Sequence, residues 1–462
     1  MKSVIHNWCC GSDNINKIKS LFYSSLIISS YSNSNSKSNS NNSSYIRFYS
    51  KQINTTTTIN KTTIYNHKMA SFNPLAKIVE PTLDNLVEAG KKIKNGGLVS
   101  FPTETVYGLG ANALDKDAVL SIFEAKGRPL TDPVIVHIID SEYAKSLLEL
   151  TDKQTEIFNL LVGSFWPGPL TIVAKSSSLV PMIVTAQTGY VGVRYPKHDL
   201  AQALIAHSGV PIAAPSANRF GHVSPTSAMH VFDDLGHSPI TILDTTTAYQ
   251  APCKIGIEST VLKIVSDTDL VILRKGGVSE RSLRQLFVNR TDINISSINK
   301  TVSNTTNEGQ EAPGQLLTHY APDIQTYILN TCSSSSSSNN SSSSSSKSLD
   351  SSSSNNNSNN NSISLKECVY IDFGGELDFK LKSQCLAYRD LSEKSDIEEA
   401  ANQLFSVLRW SESVENAKII LLPDFRKQSL SHLDSDAIFD RIFRAASGKL
   451  AQINFDTNEI HF

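Results

Sequence analysis

The chain has few cysteines and none in a metal-binding pattern. Cys9, Cys10, Cys253, Cys332, Cys368 and Cys385 contain no C-x-x-C pair. Neither a structural zinc site nor a disulfide framework is therefore expected, and a reduced intracellular protein is. Long hydrophobic runs are also missing. Leu26-Ile27-Ile28 beside Leu21-Phe22 is broken by serines, and no stretch approaches the roughly 18 apolar residues that a spanning helix needs. Charge of one sign is not in excess: 42 Lys and Arg against 44 Asp and Glu give a net charge of -2. That balance excludes a histone-like polyanion binder and leaves room for a local basic groove.

Acids are nearly absent from residues 1–69, where Asp13 stands alone against Lys2, Lys17, Lys19, Lys37, Arg47, Lys51, Lys61 and Lys68. This Ser-, Asn- and Thr-rich tail buries too little apolar surface to offset its ordering entropy. It reads equally as a mitochondrial presequence and as an extension without an address. Met69 precedes the first ordered residues as a start residue for the folded part would.

A length of 462 residues predicts two globular units plus tails. The first spans 70–289, a polar linker 290–323, and a second unit 324–462, which carries a Ser/Asn-rich insert at about 333–364. Leu83, Leu86, Val87 and Ile93 repeat at helical spacing after Thr82, a suitable N-cap. The strand Leu98–Phe101 runs into a loop over Pro102–Gly110. Val119, Ile122 and Phe123 mark a helix that ends at Lys126-Gly127. Strands are expected at 134–138, 170–174, 191–194, 212–214, 240–243, 259–264 and 271–274, and then at 326–329, 368–373 and 419–422. A capping box of Ser395 and Glu398 opens an amphipathic helix, and a last helix covers 436–447. Strands alternating with helices define an α/β protein.

Four segments carry candidate chemistry: Thr103-Glu104-Thr105, Lys126-Gly127-Arg128-Pro129, Val193-Arg194-Tyr195 and Pro215-Ser216-Ala217-Asn218. Lys126-Gly127 can be simply a helix end. Arg128, extended before Pro129, can point with Lys126 at one anion. Ser216 and Asn218 can be turn formers or alternate residues facing a ligand. Arg194 closes an apolar strand and needs a carboxylate or phosphate partner. His137, mid-strand, reads on its own as a core histidine.

In this order the four segments resemble the threonylcarbamoyl-adenylate synthase family, closely over about 70–290 and more loosely over the last third. The resemblance implies a YrdC-like twisted open sheet with covering helices, plus a smaller Rossmann-like α/β domain. It further implies condensation of L-threonine, bicarbonate (or CO2) and ATP to threonylcarbamoyl-adenylate and pyrophosphate, for threonylcarbamoyladenosine modification of tRNA. The catalytic residues would be Lys126 and Arg128. L-Threonine would lie against Thr103, His137, Arg194, Ala214 and Ser259. ATP would lie against Lys126, Arg128, Asp132, Ser216, Asn218, Ser224 and Arg274. Mg2+ would arrive with ATP, with no prosthetic group and no metal site of the protein's own. The product would pass to a separate tRNA threonylcarbamoyl transferase complex, with weak tRNA or double-stranded RNA contact and no membrane. Location would be cytoplasmic, with a mitochondrial fraction through the tail.

Three positions depart from the family pattern. Leu317 stands where the interdomain linker has an aromatic residue, ahead of an intact His319-Tyr320-Ala321-Pro322; Lys275 replaces a proline and Tyr190 a threonine. The rival readings are a carbamoyltransferase of hydrogenase maturation, which would need zinc-binding cysteine pairs and an acylphosphatase-like region, and a non-catalytic RNA-binding module.

Overall fold

The computed structural model describes residues 74–245, 253–298, 309–330, 363–377, 381–425, 435–454 and 459–462. The N-terminal tail, Met69 and nearly all of the Ser/Asn insert lie outside them. Everything below concerns the compact unit Leu75–Phe462.

Its first half contains β1 (Lys77–Val79), α1 (Leu83–Lys94), β2 (Val99–Phe101), β3 (Gly108–Asn112), α2 (Lys116–Lys126) and β4 (Val136–His137). The chain continues through α3 (Ser141–Ser146), α4 (Asp152–Phe165), β5 (Leu170–Lys175), β6 (Tyr190–Arg194), α5 (Asp199–Ser208) and β7 (Ile212–Ala213). Next come α6 (Ala228–Leu235), β8 (Thr241–Leu243), β9 (Thr260–Ile264), β10 (Asp269–Arg274), α7 (Glu280–Leu286) and β11 (Asn294–Ser297). The strands form one 11-stranded mixed sheet in the order β1-β8-β2-β3-β7-β4-β6-β5-β9-β10-β11. Thr82 caps α1 by accepting from the Asn85 amide, and Gly127 ends α2 at φ +62°, as the sequence predicts.

The sequence reading needs correction at several places here. The second half of the Pro102–Gly110 loop is a strand: Gly108 pairs with Phe101 in an antiparallel ladder. Glycine hides it from hydrophobic patterning, yet glycine is what lets it form. A Cβ on Gly110 would sit 2.7 Å from Ile212 Cγ2 and 2.8 Å from the Phe101 ring. The stretch read as pure linker begins with β11, parallel to β10. Ile295 is its one buried residue, too little for a period-2 signal. The strand expected over 134–138 pairs only at Val136–His137.

The second half holds β12 (Gln325–Leu329), β13 (Cys368–Asp372), β14 (Ala387–Asp390), α8 (Ile397–Glu412), β15 (Ile419–Leu422), α9 (Asp436–Ala445), β16 (Leu450–Asn454) and β17 (Glu459–His461). The sheet order is β14-β13-β15-β12-β16-β17, parallel except for the β16/β17 edge. The helix cap differs from the predicted one. Asp396 accepts from the amides of Glu398 and Glu399, while Ser395 takes φ +56°, outside the extended conformation an N-cap needs.

The two halves share a core. Val106, Val223 and Ile257 of the first pack in one cluster with Tyr320 and with Ala401, Leu404 and Phe405 of α8. Polar groups cross the same seam: Arg409 meets Asp234 at 2.8 Å, and Lys275 meets Asp436. Gly256, at φ +79°, lies under α8 so closely that a Cβ would be 2.4 Å from Asn402 Cα. Gly256→Ala should therefore lose stability by about 1–3 kcal/mol through overpacking and backbone strain. A lowered urea midpoint is the check.

Candidate active site

A cleft of about 560 Å3, counted out to its open mouth, runs along the sheet beneath the interdomain segment. Thr103 and Thr105 of the loop after β2 line it, together with Gly108, Ala214 and Ser216. Arg128, Arg194 and Arg274 line the cleft, as do His137, Glu258 and Ser259. Pro313, Gly314, His319 and Tyr320 close it from the interdomain segment.

Each arginine is held by the protein with part of its fork left over. Arg128, extended before Pro129, donates from Nε to the Asp132 carbonyl (3.1 Å) and from Nη2 to the Pro133 carbonyl (2.7 Å). It also pairs with the Asp132 carboxylate at 3.0 Å. Arg274 donates from Nε and Nη2 to the Ser259 carbonyl (3.1 and 2.9 Å) and from Nη1 to that of Pro313 (3.3 Å). Arg194 pairs through Nη2 with Glu104 at 2.8 Å, and its Nε reaches the Gly168 carbonyl at 3.3 Å. The carboxylate that Arg194 demands is thus supplied from inside the fold by Glu104. Three guanidinium groups against Glu258, the one carboxylate among the described lining residues, make the cleft an anion site.

The histidines add no charge. Burial and the neighbouring Arg194 hold the His137 pKa down to about 3. Burial and the cations around His319, Arg128 first among them, push its pKa well below the usual range. Burial pushes the Tyr320 hydroxyl up to about 12. Thr103 Oγ1 donates to the Val106 carbonyl at 2.7 Å and lies 2.8 Å from Thr105 Oγ1. Ser259 Oγ lies 2.8 Å from Thr171 Oγ1.

The site residues expected from sequence divide into two groups. Thr103, Arg128, His137, Arg194, Ala214, Ser216, Ser259 and Arg274 come together around the cleft. Lys126, Asp132, Asn218 and Ser224 stand behind its lining. Lys126 does not share a target with Arg128: its ammonium donates to the carbonyls of Ser216 (2.7 Å) and Asn218. Burial, then Arg128, pushes its pKa well down. Asn218 does not project beside Ser216 as an extended alternation would place it. Its Nδ2 donates to the His222 carbonyl at 2.8 Å. Ser224 Oγ donates to Glu258 Oε1 at 2.6 Å. Leu317 is not in the lining, and the aromatic groups of the interdomain segment that reach the cleft are His319 and Tyr320.

Sequence reasoning missed Glu104 and Glu258. Both are acids in otherwise apolar or hydroxyl-rich buried segments, and that is the signal they offered.

Behind the cleft, His222 bridges the domain seam, with Nδ1 at 2.9 Å from Asp234 and Nε2 at 3.0 Å from Glu412 of α8. Burial lowers its pKa, but the hydrogen bonds and charges of Asp234 and Glu412 outweigh that and raise it above 6.5. Arg409 and His230 face the same cluster, as do Arg219 and Asp323. A raised folded pKa contributes stability that is complete below 6.5 and is lost as pH rises through the folded value. The melting temperature should thus fall more steeply through that window in the wild type than in His222→Gln.

Fold and site define an α/β protein whose cation-lined cleft is closed by the segment leading into a second domain. Residues 91–276 match the Sua5/YciO/YrdC family, described as telomere recombination, and residues 278–447 match the threonylcarbamoyl-AMP synthase C-terminal domain. The chain belongs to that family, in the form carrying the C-terminal domain. It is 41% identical over 237 residues to the threonylcarbamoyl-AMP synthase of Pyrococcus abyssi, covering 51% of this chain and 65% of the relative. It is 44% identical over 239 residues to that of Bacillus subtilis, covering 51% and 64%. Each alignment thus spans just under two thirds of the relative's length. The fold matches a crystal structure of P. abyssi Sua5 complexed with L-threonine at TM-score 0.62 and 29% identity, covering 82% of this chain and 99% of that one.

Proposed function

We propose that this protein is a nucleotidyltransferase that joins L-threonine, bicarbonate-derived CO2 and ATP into threonylcarbamoyl-AMP and pyrophosphate, the precursor of threonylcarbamoyladenosine in tRNA. The observation that carries the reading is the cleft itself. One group in its lining is Arg194, with His137 beside it and Thr103, and a second is Arg128 and Arg274, both facing His319, with Ser216. The first suits an amino-acid carboxylate, and the second suits phosphates. A neutral His137 (pKa about 3) can hydrogen-bond threonine without competing for its carboxylate.

Threonine's unprotonated amine adds to CO2, and the resulting N–H proton leaves to solvent, giving a carbamate. A carbamate oxygen then attacks the α-phosphorus of ATP, forming one P–O bond and breaking the bond to pyrophosphate. The protein supplies alignment and charge neutralisation, with no covalent nucleophile required. Mg2+ enters as part of the nucleotide substrate. A tRNA-modifying transferase complex as consumer of the product, and cytoplasmic location with a mitochondrial share, belong to the same proposal.

The test is pyrophosphate release that requires both L-threonine and bicarbonate. Release independent of threonine would sink the reading, and RNA binding without turnover would favour the non-catalytic one. Within that assay Arg194→Ala should raise the threonine KM at least about tenfold and leave the ATP KM nearly unchanged. Arg194→Lys keeps a cation for Glu104 and controls for folding. Equal weakening of both substrates would assign Arg194 a structural role.

A further inference from the structure

The second domain sends one fully buried charge into the wall of the cleft. Arg441, on α9, is 0% exposed. Its Nε donates to Glu258 Oε2 at 3.1 Å, and its Nη1 donates to the Lys275 carbonyl at 2.5 Å. The guanidinium carbon lies 5.6 Å from the centre of the Tyr320 ring. Glu258 and Tyr320 both line the cleft.

Among the described residues Arg441 is the one cation paired with Glu258, and the other carboxylate oxygen accepts from the Ser224 hydroxyl, a neutral donor. Tyr320 sits at φ +59°, a conformation that costs a non-glycine residue energy and persists only when its surroundings enforce it. Phe405, 5.4 Å away, and Arg441 are the second domain's share of that enforcement. The Tyr320 hydroxyl is buried without a hydrogen-bond partner among the described residues, as is Arg441 Nη2. Such groups are expected where a polar ligand completes the set.

We propose that Arg441 is a positioning residue for the nucleotide contacts of the cleft, acting across the domain seam through Glu258 and Tyr320. The physical consequence of losing it is specific. Glu258, left as a buried carboxylate, turns toward Arg274, the cation next to it in the cleft lining. Arg274 is then drawn off the phosphates that it is placed to meet. The threonine contacts at Arg194, Thr103 and His137 are not touched by this change, and only Ser259, whose carbonyl Arg274 also holds, links it to that substrate. The inference rests on the functional reading above for which substrate each group of residues meets.

The experiment compares full-length wild type, Arg441→Met and Arg441→Lys. ATP affinity is measured by calorimetry, the two KM values come from pyrophosphate release, and melting is followed in parallel. In Arg441→Met both the ATP Kd and the ATP KM should rise about tenfold or more, as misplacement of a binding group does, with the threonine KM rising far less. Arg441→Lys, which restores a cation for Glu258, should recover a large part of that loss. Unchanged ATP affinity, equal losses for both substrates, or a folded Arg441→Lys no better than Arg441→Met would overturn the proposal. If neither variant folds, Arg441 is structural and the proposal is equally lost. A wild type that binds ATP yet shows no threonine-dependent turnover would defeat the functional reading alone, since ATP affinity in the variants still decides the role of Arg441.

Discussion

Replacing Arg128 with alanine should cut threonine-dependent pyrophosphate release by two to three orders of magnitude, roughly the 3–4 kcal/mol that a lost transition-state donor costs. The guanidinium lines the cleft beside the interdomain His319. The same change also removes the partner of Asp132, whose carboxylate is 0% exposed. Breaking such a pair from one side costs about 3–5 kcal/mol, so activity and stability fall together. Arg128→Lys separates them, because a charge remains for Asp132 while the planar fork is lost. Its urea midpoint should stay near wild type and its turnover should remain low. Full turnover in a folded Arg128→Lys would show that the fork is not used on the reacting phosphates.

The second large effect is expected at the domain seam. Arg409 of α8 pairs with Asp234 at 2.8 Å and donates to the Val223 carbonyl at 2.5 Å. Arg409→Ala leaves Asp234 buried with His222 and the more distant Arg219 (3.9 Å) as cationic partners, and should cost about 3–5 kcal/mol. Burial raises the Asp234 pKa, but hydrogen bonds from His222 and Arg409 outweigh it and hold the carboxyl down to about 2. A depressed carboxylate contributes stability above its unfolded value, near 3.8, and loses it as pH falls toward 2. Without Arg409 the depression shrinks, so acid unfolding should begin at a higher pH. Chemical denaturation of both proteins between pH 3 and 6 gives the comparison. Parallel curves would mean that Arg409 does not stabilise the ionised form.

Much of the cleft was legible because its chemistry sits in local sequence. Arg128 before Pro129 and Arg194 at the end of an apolar strand announce charges that need partners, and both line the cleft. The caps of α1 and α2 follow directly from Thr82 and Gly127. What stayed hidden is non-local. That Glu104 answers Arg194 depends on the loop after β2 reaching the end of β6 across three intervening strands, and no spacing encodes it. Lys126 looked like Arg128's partner because the two are close in sequence. The left-handed turn at Gly127 instead sends the ammonium to the carbonyls of Ser216 and Asn218. The edge strand β14 is at best half-buried along its length and so lacks a clean alternation, and β16 turns its Leu450 outward. Arg441 could have been found: it falls at helical spacing with Ala437, Ile438 and Ala445 on the buried stripe of α9. A cation on such a stripe must be answered by the surface it packs against.

The strand order also dictates when the first half can fold. Lys77–Val79 lies at one edge of its sheet and pairs only with Thr241–Leu243, which in turn pairs with Val99–Ser100. Helices α1 and α2 can form as soon as they are made. The edge that joins β1 to β2, however, waits for most of the domain to leave the ribosome. Until β8 arrives, β2 offers an unpaired, apolar backbone edge, the kind of surface that recruits other chains. Folding of this half is therefore governed by long-range closure. Nascent chains stalled before Thr241 should be open to proteases at residues 77–79, and chains stalled well beyond Leu243 should be protected there.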